Sequence, residues 1–357
     1  MTQLSRLPLA RKTLPVIITL GALVVIAVGV SLFGSTVTNR IVTVMFVHVV
    51  LVLGLQLFMG NSGILSFAHV GFMAIGAYGS ALMSIPAENK SRSLPNLYEP
   101  LMGVELGFLP AILVGAATAG LFAAITGVAL MRLSDTAAAI SSFALLVIIN
   151  VVLSQWNEVT NGPRTLSGIL KYTDMWTAFG WAAIGVIVAF LFKESSLGMK
   201  LRASRDNLHA ADAIGINVTR TRWISFVFSA FIAGLAGGLW AHFITSFQPD
   251  ALYFEMTFLV LMMLVVGGPH TITGATLGVI IVTVVNEGLR SIENNLALSG
   301  ALPFKTVGMT EIVLAVVLII MLALRPGGII HTVELGGGVG RRRELQTSAS
   351  SQKGTRR

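Results

Sequence analysis

Ten runs of apolar residues punctuate the chain, at 16–33, 41–59, 64–85, 108–131, 136–156, 175–192, 223–244, 251–267, 272–289 and 309–324, with short polar stretches between them. Runs near 20 residues match the thickness of a bilayer's hydrocarbon at the helical rise of ~1.5 Å per residue. Inside lipid only helices and closed barrels satisfy their own backbone, and these runs lack the alternation of barrel strands. The pattern predicts an all-α integral membrane protein of about ten transmembrane helices. The eighth run is short and interrupted by Glu255, so it reads equally as a span or as a re-entrant segment. Two glycine-rich breaks, Gly60-Asn61-Ser62-Gly63 and Gly267-Gly268-Pro269-His270, each precede a glycine-containing apolar run. They are read as corresponding points of an internal duplication, five helices plus five, and paired breaks of this kind point to a transport path.

The longest polar stretch with apolar sequence on both sides is 193–222, which carries six basic residues. Ser204 precedes Arg205-Asp206-Asn207 and can cap a helix. Leu208, Ala211 and Ile214 then fall near one face, and Gly215 supplies a left-handed stop. The spacing predicts one short helix of about three turns whose alanine face lets a partner approach. Elsewhere small residues recur every four positions: Gly115, Ala119, Ala123 and Gly127; Ala230, Gly234 and Gly238; Gly274 and Gly278. Such spacing brings helix backbones together where lipid provides no hydrophobic drive.

Composition narrows the class. Of 357 residues, 54% are hydrophobic and 11% charged, against roughly 25% charged in soluble domains. There is no cysteine, which excludes disulfides, thiolate metal sites and cysteine nucleophiles. The +8 net charge follows from loop placement and is no nucleic-acid footprint. With ten spans and the N-terminus inside, seventeen of the 24 lysines and arginines lie on the inner side. Three are N-terminal, one is Arg132, six are in 193–222 and seven are in the tail; the other seven lie outside. The excess places both termini and the 193–222 loop in the cytoplasm. Residues 1–325 read as one membrane domain, and 326–357 as a disordered basic tail.

Polar groups inside the runs are few: His48, Gln56, His69, Asn150, His242, Glu255, Asn286, Glu287 and Glu311. Intramembrane charges are expensive and commonly line a path, but these glutamates sit near helix ends, where interfacial water reaches them. His69, one turn past the first break, reads as a structural hydrogen-bonder or a path residue, and His48 as a core histidine. No P-loop and no H-E-x-x-H pattern occurs, so neither nucleotide hydrolysis nor a metal or other cofactor is expected of this chain.

Four stretches, in order, resemble the permease subunits of bacterial branched-chain amino-acid ABC importers, specifically the second, M-type subunit. Gly60-Asn61-Ser62-Gly63-Ile64-Leu65-Ser66-Phe67-Ala68-His69 is similar to the family's G-x-x-G-x-L-S-x-x-H segment and continues into Gly76-Ala77-Tyr78. Val159-Thr160-Asn161-Gly162 with Leu166-Ser167-Gly168 resembles its extracytoplasmic loop. Leu197 to Ala203 and Ala210 to Val218 resemble its cytoplasmic loop, and Gly267-Gly268-Pro269 with Gly274 and Gly278 its late glycine-rich turn. The resemblance implies one half of an inner-membrane pathway for branched-chain or related amino acids. Implied partners are two ATP-binding subunits, a second, H-type permease, and a periplasmic or lipid-anchored substrate-binding protein, all within membrane lipid. The 193–222 loop would be the coupling element, with Arg202, Arg205, Leu208, His209, Ala210, Ala211 and Gly215 toward the ATPase. His209 stands where many permeases of this kind carry glutamate. Ser62, Gly63, Ser66, His69, Gly267, Gly268 and Gly274 are the expected path residues. A urea or short-amide permease is the rival within the family, and an ion-coupled secondary transporter the rival outside it.

Overall fold

The computed structural model describes residues 9–299, 308–324 and 327–330. In chain order the helices are α1 (Leu9–Phe33), α2 (Thr36–Ser62), α3 (His69–Ser84), α4 (Ala87–Ser93), α5 (Glu99–Met102), α6 (Phe108–Leu130), α7 (Asp135–Gln155) and α8 (Asn157–Thr160). They continue as α9 (Met175–Glu194), α10 (Ser196–Asp206), α11 (Leu208–Ala213), α12 (Val218–Ile244), α13 (Phe254–Gly267), α14 (Ile272–Ser299) and α15 (Met309–Leu324). Among the described residues there is no strand, only one isolated bridge between Leu166 and Phe247.

Among the described residues, eight helices are long and apolar enough to cross a membrane. Of the ten expected spans, α3 and α15 fall short at 16 residues each. Six of the ten apolar helices precede the 193–222 loop and four follow it, so a five-plus-five repeat does not divide there. The tail beyond residue 330, and the side chain of Glu311, lie outside the described residues.

Burial separates these helices although all are apolar. A helix apolar on every side belongs in the middle of a bundle. α2 is that helix: 89% of its most apolar window is buried, against 17% for α1. It packs against α9, α12 and α14. α6 buries Gly115, Ala119, Ala123 and Gly127 and turns Leu121 and Ile125 outward. The small-residue stripes predicted from spacing are therefore contact faces. At the crossing of α3 and α12 a Cβ on Gly237 would lie 1.9 Å from the Met73 carbonyl oxygen, so only glycine fits.

The third helix begins at His69 instead of near Ile64. Gly63 takes φ +78° and closes α2 with its N–H on Met59 O at 2.9 Å. The Ile64 N–H then goes to Ser62 Oγ and the Phe67 N–H to Ser142 Oγ, so side chains satisfy this stretch.

The eighth segment runs from one end of the bundle to the other. A 3-10 turn, Pro249–Leu252, leads into α13, and together they give a 19-residue span. The segment starts close to Phe247, which pairs with Leu166 at the end away from 193–222. It finishes at Gly267, just before Pro269, whose carbonyl meets Gly60 at the end of α2. Glu255 sits exposed in its first turn and pairs with Arg290 of α14 at 3.2 Å.

Candidate functional site

The 193–222 stretch folds as two helices where one was expected. Ser195 caps α10 by accepting from Gly198 N. Ser204 is buried inside α10 with its hydroxyl on Leu201 O at 2.7 Å, so it caps nothing. Asn207 takes that role, its Oδ1 accepting from Ala210 N at 2.9 Å to start α11. Gly215 follows α11 at φ +83°, as its spacing predicts. The faces differ from expectation too. Ala211 is turned inward and only 2% exposed, while Leu208, His209, Ala210 and Ile214 face outward.

Arg205, near the end of α10, reaches into the bundle. Its Nη1 donates to the Gly60 carbonyl at 2.8 Å and lies 3.0 Å from His270 Nδ1. Arginine has no acceptor, so His270 Nδ1 accepts here, and its 3.2 Å approach to Gly60 O is then a contact between two acceptors sharing one donor. The Arg205 stem packs on Gly63, where a Cβ would come within 2.8 Å of Cγ. Asp206 Oδ1 accepts from the Nε–Nη2 edge of the guanidinium, at 3.1 Å from Nη2. One turn earlier, Arg202 Nη1 lies 3.5 Å from Asn61 Oδ1.

The two breaks meet under this arginine. A Cβ on Gly60 would sit 2.0 Å from Pro269 O, so the α2 terminus and the α13–α14 turn touch backbone to backbone. Gly267 lies as close to Gly274: a Cβ there would be 2.0 Å from Gly274 O. Gly268 takes φ +118° and is flanked by the chain after α15, where Ile330 N donates to Gly267 O at 3.1 Å. The sequence marks both breaks as pointers to a transport path, but not the arginine that joins them. His270, the fourth residue of the second break, was the one available hint.

The expected path residues are engaged within the protein. His69 uses both ring nitrogens, Nδ1 with Ser66 Oγ at 3.0 Å and Nε2 with Ser229 Oγ at 2.9 Å. It is enclosed by Phe58, Phe72 and Phe226. Ser62, Ser66, Gly267, Gly268 and Gly274 are buried, and Gly63 is exposed. Among the described residues no cluster of three or more His, Cys, Asp or Glu could hold a metal. What the site shows is a set of contacts between a surface helix pair and two helix breaks.

Residues 37–323 match the family described as "Branched-chain amino acid transport system / permease component". The chain belongs to this family. It is similar to the high-affinity branched-chain amino acid transport system permease protein LivM of Escherichia coli strain K12, 27% identical over 303 residues. That match spans 75% of this chain and 67% of the relative. It is also similar to the nucleoside ABC transporter permease protein NupC of Lactococcus lactis, 28% identical over 53% of this chain and 62% of the relative. The ribose import permease protein RbsC of Escherichia coli strain K12 is 25% identical over 53% of this chain and 63% of the relative. No solved structure matches. Family membership and the apolar helices make this a multi-pass plasma-membrane protein of the ABC permease class.

Proposed function

We propose that this chain is the M-type permease subunit of an ATP-driven importer for branched-chain or related amino acids, forming half of the translocation pathway. ATP hydrolysis takes place in two separate ATP-binding subunits. A second, H-type permease completes the path, and a periplasmic or lipid-anchored protein delivers the substrate. Both termini and residues 193–222 face the cytoplasm, which the excess of basic residues on that side supports. The Escherichia coli LivM relative favours amino acids, because it matches along 75% of the chain and the nucleoside and ribose permeases along about half.

The observation that carries the reading is Arg205 bonded to Gly60 and beside His270. A push on the exposed residues of α11, Leu208, His209 and Ala210, displaces α10 with it. Arg205 passes that displacement to the end of α2 and to the α13–α14 turn together. The two breaks move as a unit and open the path, a change between two packed arrangements. The energy comes from the ATPase's different affinity for the loop in its two nucleotide states. The test is reconstitution in proteoliposomes with the neighbouring ATPase, permease and binding-protein gene products. ATP-dependent uptake of labelled leucine, and not of adenosine or ribose, is expected. Uptake of adenosine or ribose alone would contradict the substrate assignment.

A further inference from the structure

At the end of the bundle away from the 193–222 loop, α2, α12, α13 and α14 enclose a cavity of about 300 Å³. That is the small end of the roughly 300–1,000 Å³ range of small-molecule sites. Arg40, Val44 and His48 line it from one stripe of α2, four residues apart, so His48 lies about 12 Å below Arg40 along the axis. Thr283, Glu287 and Arg290 line it from one stripe of α14.

The rim carries both signs of charge. Arg40 and Glu287 form no ion pair among the described residues, and Arg290 is shared with Glu255 at 3.2 Å. The walls are apolar: Trp240 from α12, Leu259 and Met263 from α13. On the floor, His48 Nε2 and Thr283 Oγ1 are buried and bond to no protein group, although the residues are only 5% and 8% exposed. His48 is thus unlike His69 and His242, each bonded through both ring nitrogens. Unpaired polar atoms on the floor keep such a cavity hydrated, and water without a full set of partners is readily displaced.

We infer that this cavity is a binding station for a zwitterionic amino acid with an apolar side chain. The carboxylate meets Arg40 and Arg290, the ammonium meets Glu287, and the side chain lies between Trp240, Leu259 and Met263. A lone anion or cation would leave one rim charge opposed by its own sign. A ribose or a nucleoside brings no charge for the rim, and the apolar walls would strand its hydroxyls. The inference rests on the import reading and adds a site to it, at the opposite end of α2 from Gly60. A phosphatidylethanolamine headgroup shares the zwitterionic chemistry, so the lipid must be controlled.

The chain has no cysteine, so Val44→Cys and Leu259→Cys can each be introduced singly into the complete importer. The complex is placed in nanodiscs of phosphatidylglycerol alone and labelled with a water-soluble maleimide. Leucine should slow labelling by about tenfold at saturation, as direct occupancy requires, and adenosine and ribose should not. Glu287→Gln should raise the leucine concentration needed for protection by about tenfold or more, through loss of one charge-assisted bond. Labelling indifferent to leucine, in a complex that imports leucine when reconstituted in proteoliposomes, overturns the station and leaves the import reading standing. Protection by adenosine in place of leucine overturns the zwitterion assignment. Protection that needs added phosphatidylethanolamine and no leucine makes the occupant a lipid headgroup, and also overturns it.

Discussion

Arg205 Nη1 lies 2.8 Å from the carbonyl oxygen of Gly60, a residue 145 positions earlier in the chain. The bond ties a surface helix to the end of the central helix, and the same nitrogen faces His270 across the second break. Only a residue without a side chain lets Pro269 come so near Gly60. The geometry therefore joins the two breaks and α10 in one set of contacts.

Gly60→Ala should force Pro269 away and cost about 1–3 kcal/mol, the usual range for overpacking. Gly180→Ala is the matched control, because nothing lies within 4 Å of its Cβ position and alanine favours a helix. Thermal unfolding in detergent should separate the two. Equal melting temperatures would contradict the close approach.

Ala211 and Leu208 sit three residues apart and should behave differently. Ala211→Glu places a carboxylate in a position 2% exposed and should disorder α11 itself. Leu208→Glu changes a residue 43% exposed and should leave the fold intact while weakening capture of the ATPase subunit. Pull-down of the ATPase alongside limited proteolysis of 193–222 distinguishes the outcomes. Normal ATPase capture by Leu208→Glu would remove α11 from the proposed contact.

Much of this was legible in the chain, and the losses have physical causes. Apolar runs located every long helix because lipid imposes length and polarity on each run. Element ends were less legible: the apolar run continues through 64–68, but Ser62 and Ser142 accept from the Ile64 and Phe67 N–H groups and satisfy that stretch without a helix. Ser204 and Asn207 are both good caps, and local sequence does not choose between them. The inward turn of Ala211 and the reach of Arg205 to Gly60 depend on where α10 docks, which no local pattern carries. Glu287 was visible as an intramembrane acid, but its position across a cavity from Arg40 required the packing of α2 on α14.

Ser66 and Leu65 test whether the first break is closed at rest. Ser66 is 2% exposed and bonded to His69, whereas Leu65 is 36% exposed. Single cysteines at these positions should label slowly and quickly, respectively, in the nucleotide-free subunit. Addition of ATP to the full complex should raise labelling at Ser66→Cys by about tenfold if the break opens. Fast labelling at rest would mean that the first break already stands open.

Lys90 is fully buried in the 86–107 loop, with Nζ donating to the carbonyls of Leu101, at 3.0 Å, and Val104. Lys90→Met keeps the stem and strands both acceptors, at about 1–3 kcal/mol for each unsatisfied group. Protease cleavage within 86–107 should rise while the helices stay protected. An unchanged digestion pattern would show that the loop does not depend on this contact.

The most direct test of the linkage is the number of leucine molecules imported per ATP hydrolysed by Arg205→Ala, measured beside wild type in the same proteoliposomes. The substitution removes charge-assisted bonds of about 1.5–3 kcal/mol, enough to cut the coupled population about tenfold or more. With the α11 surface unchanged, the predicted result is near-normal ATP hydrolysis with import reduced about tenfold or more. Wild-type import per ATP in Arg205→Ala would contradict the claim that this arginine carries the motion from the loop to the breaks.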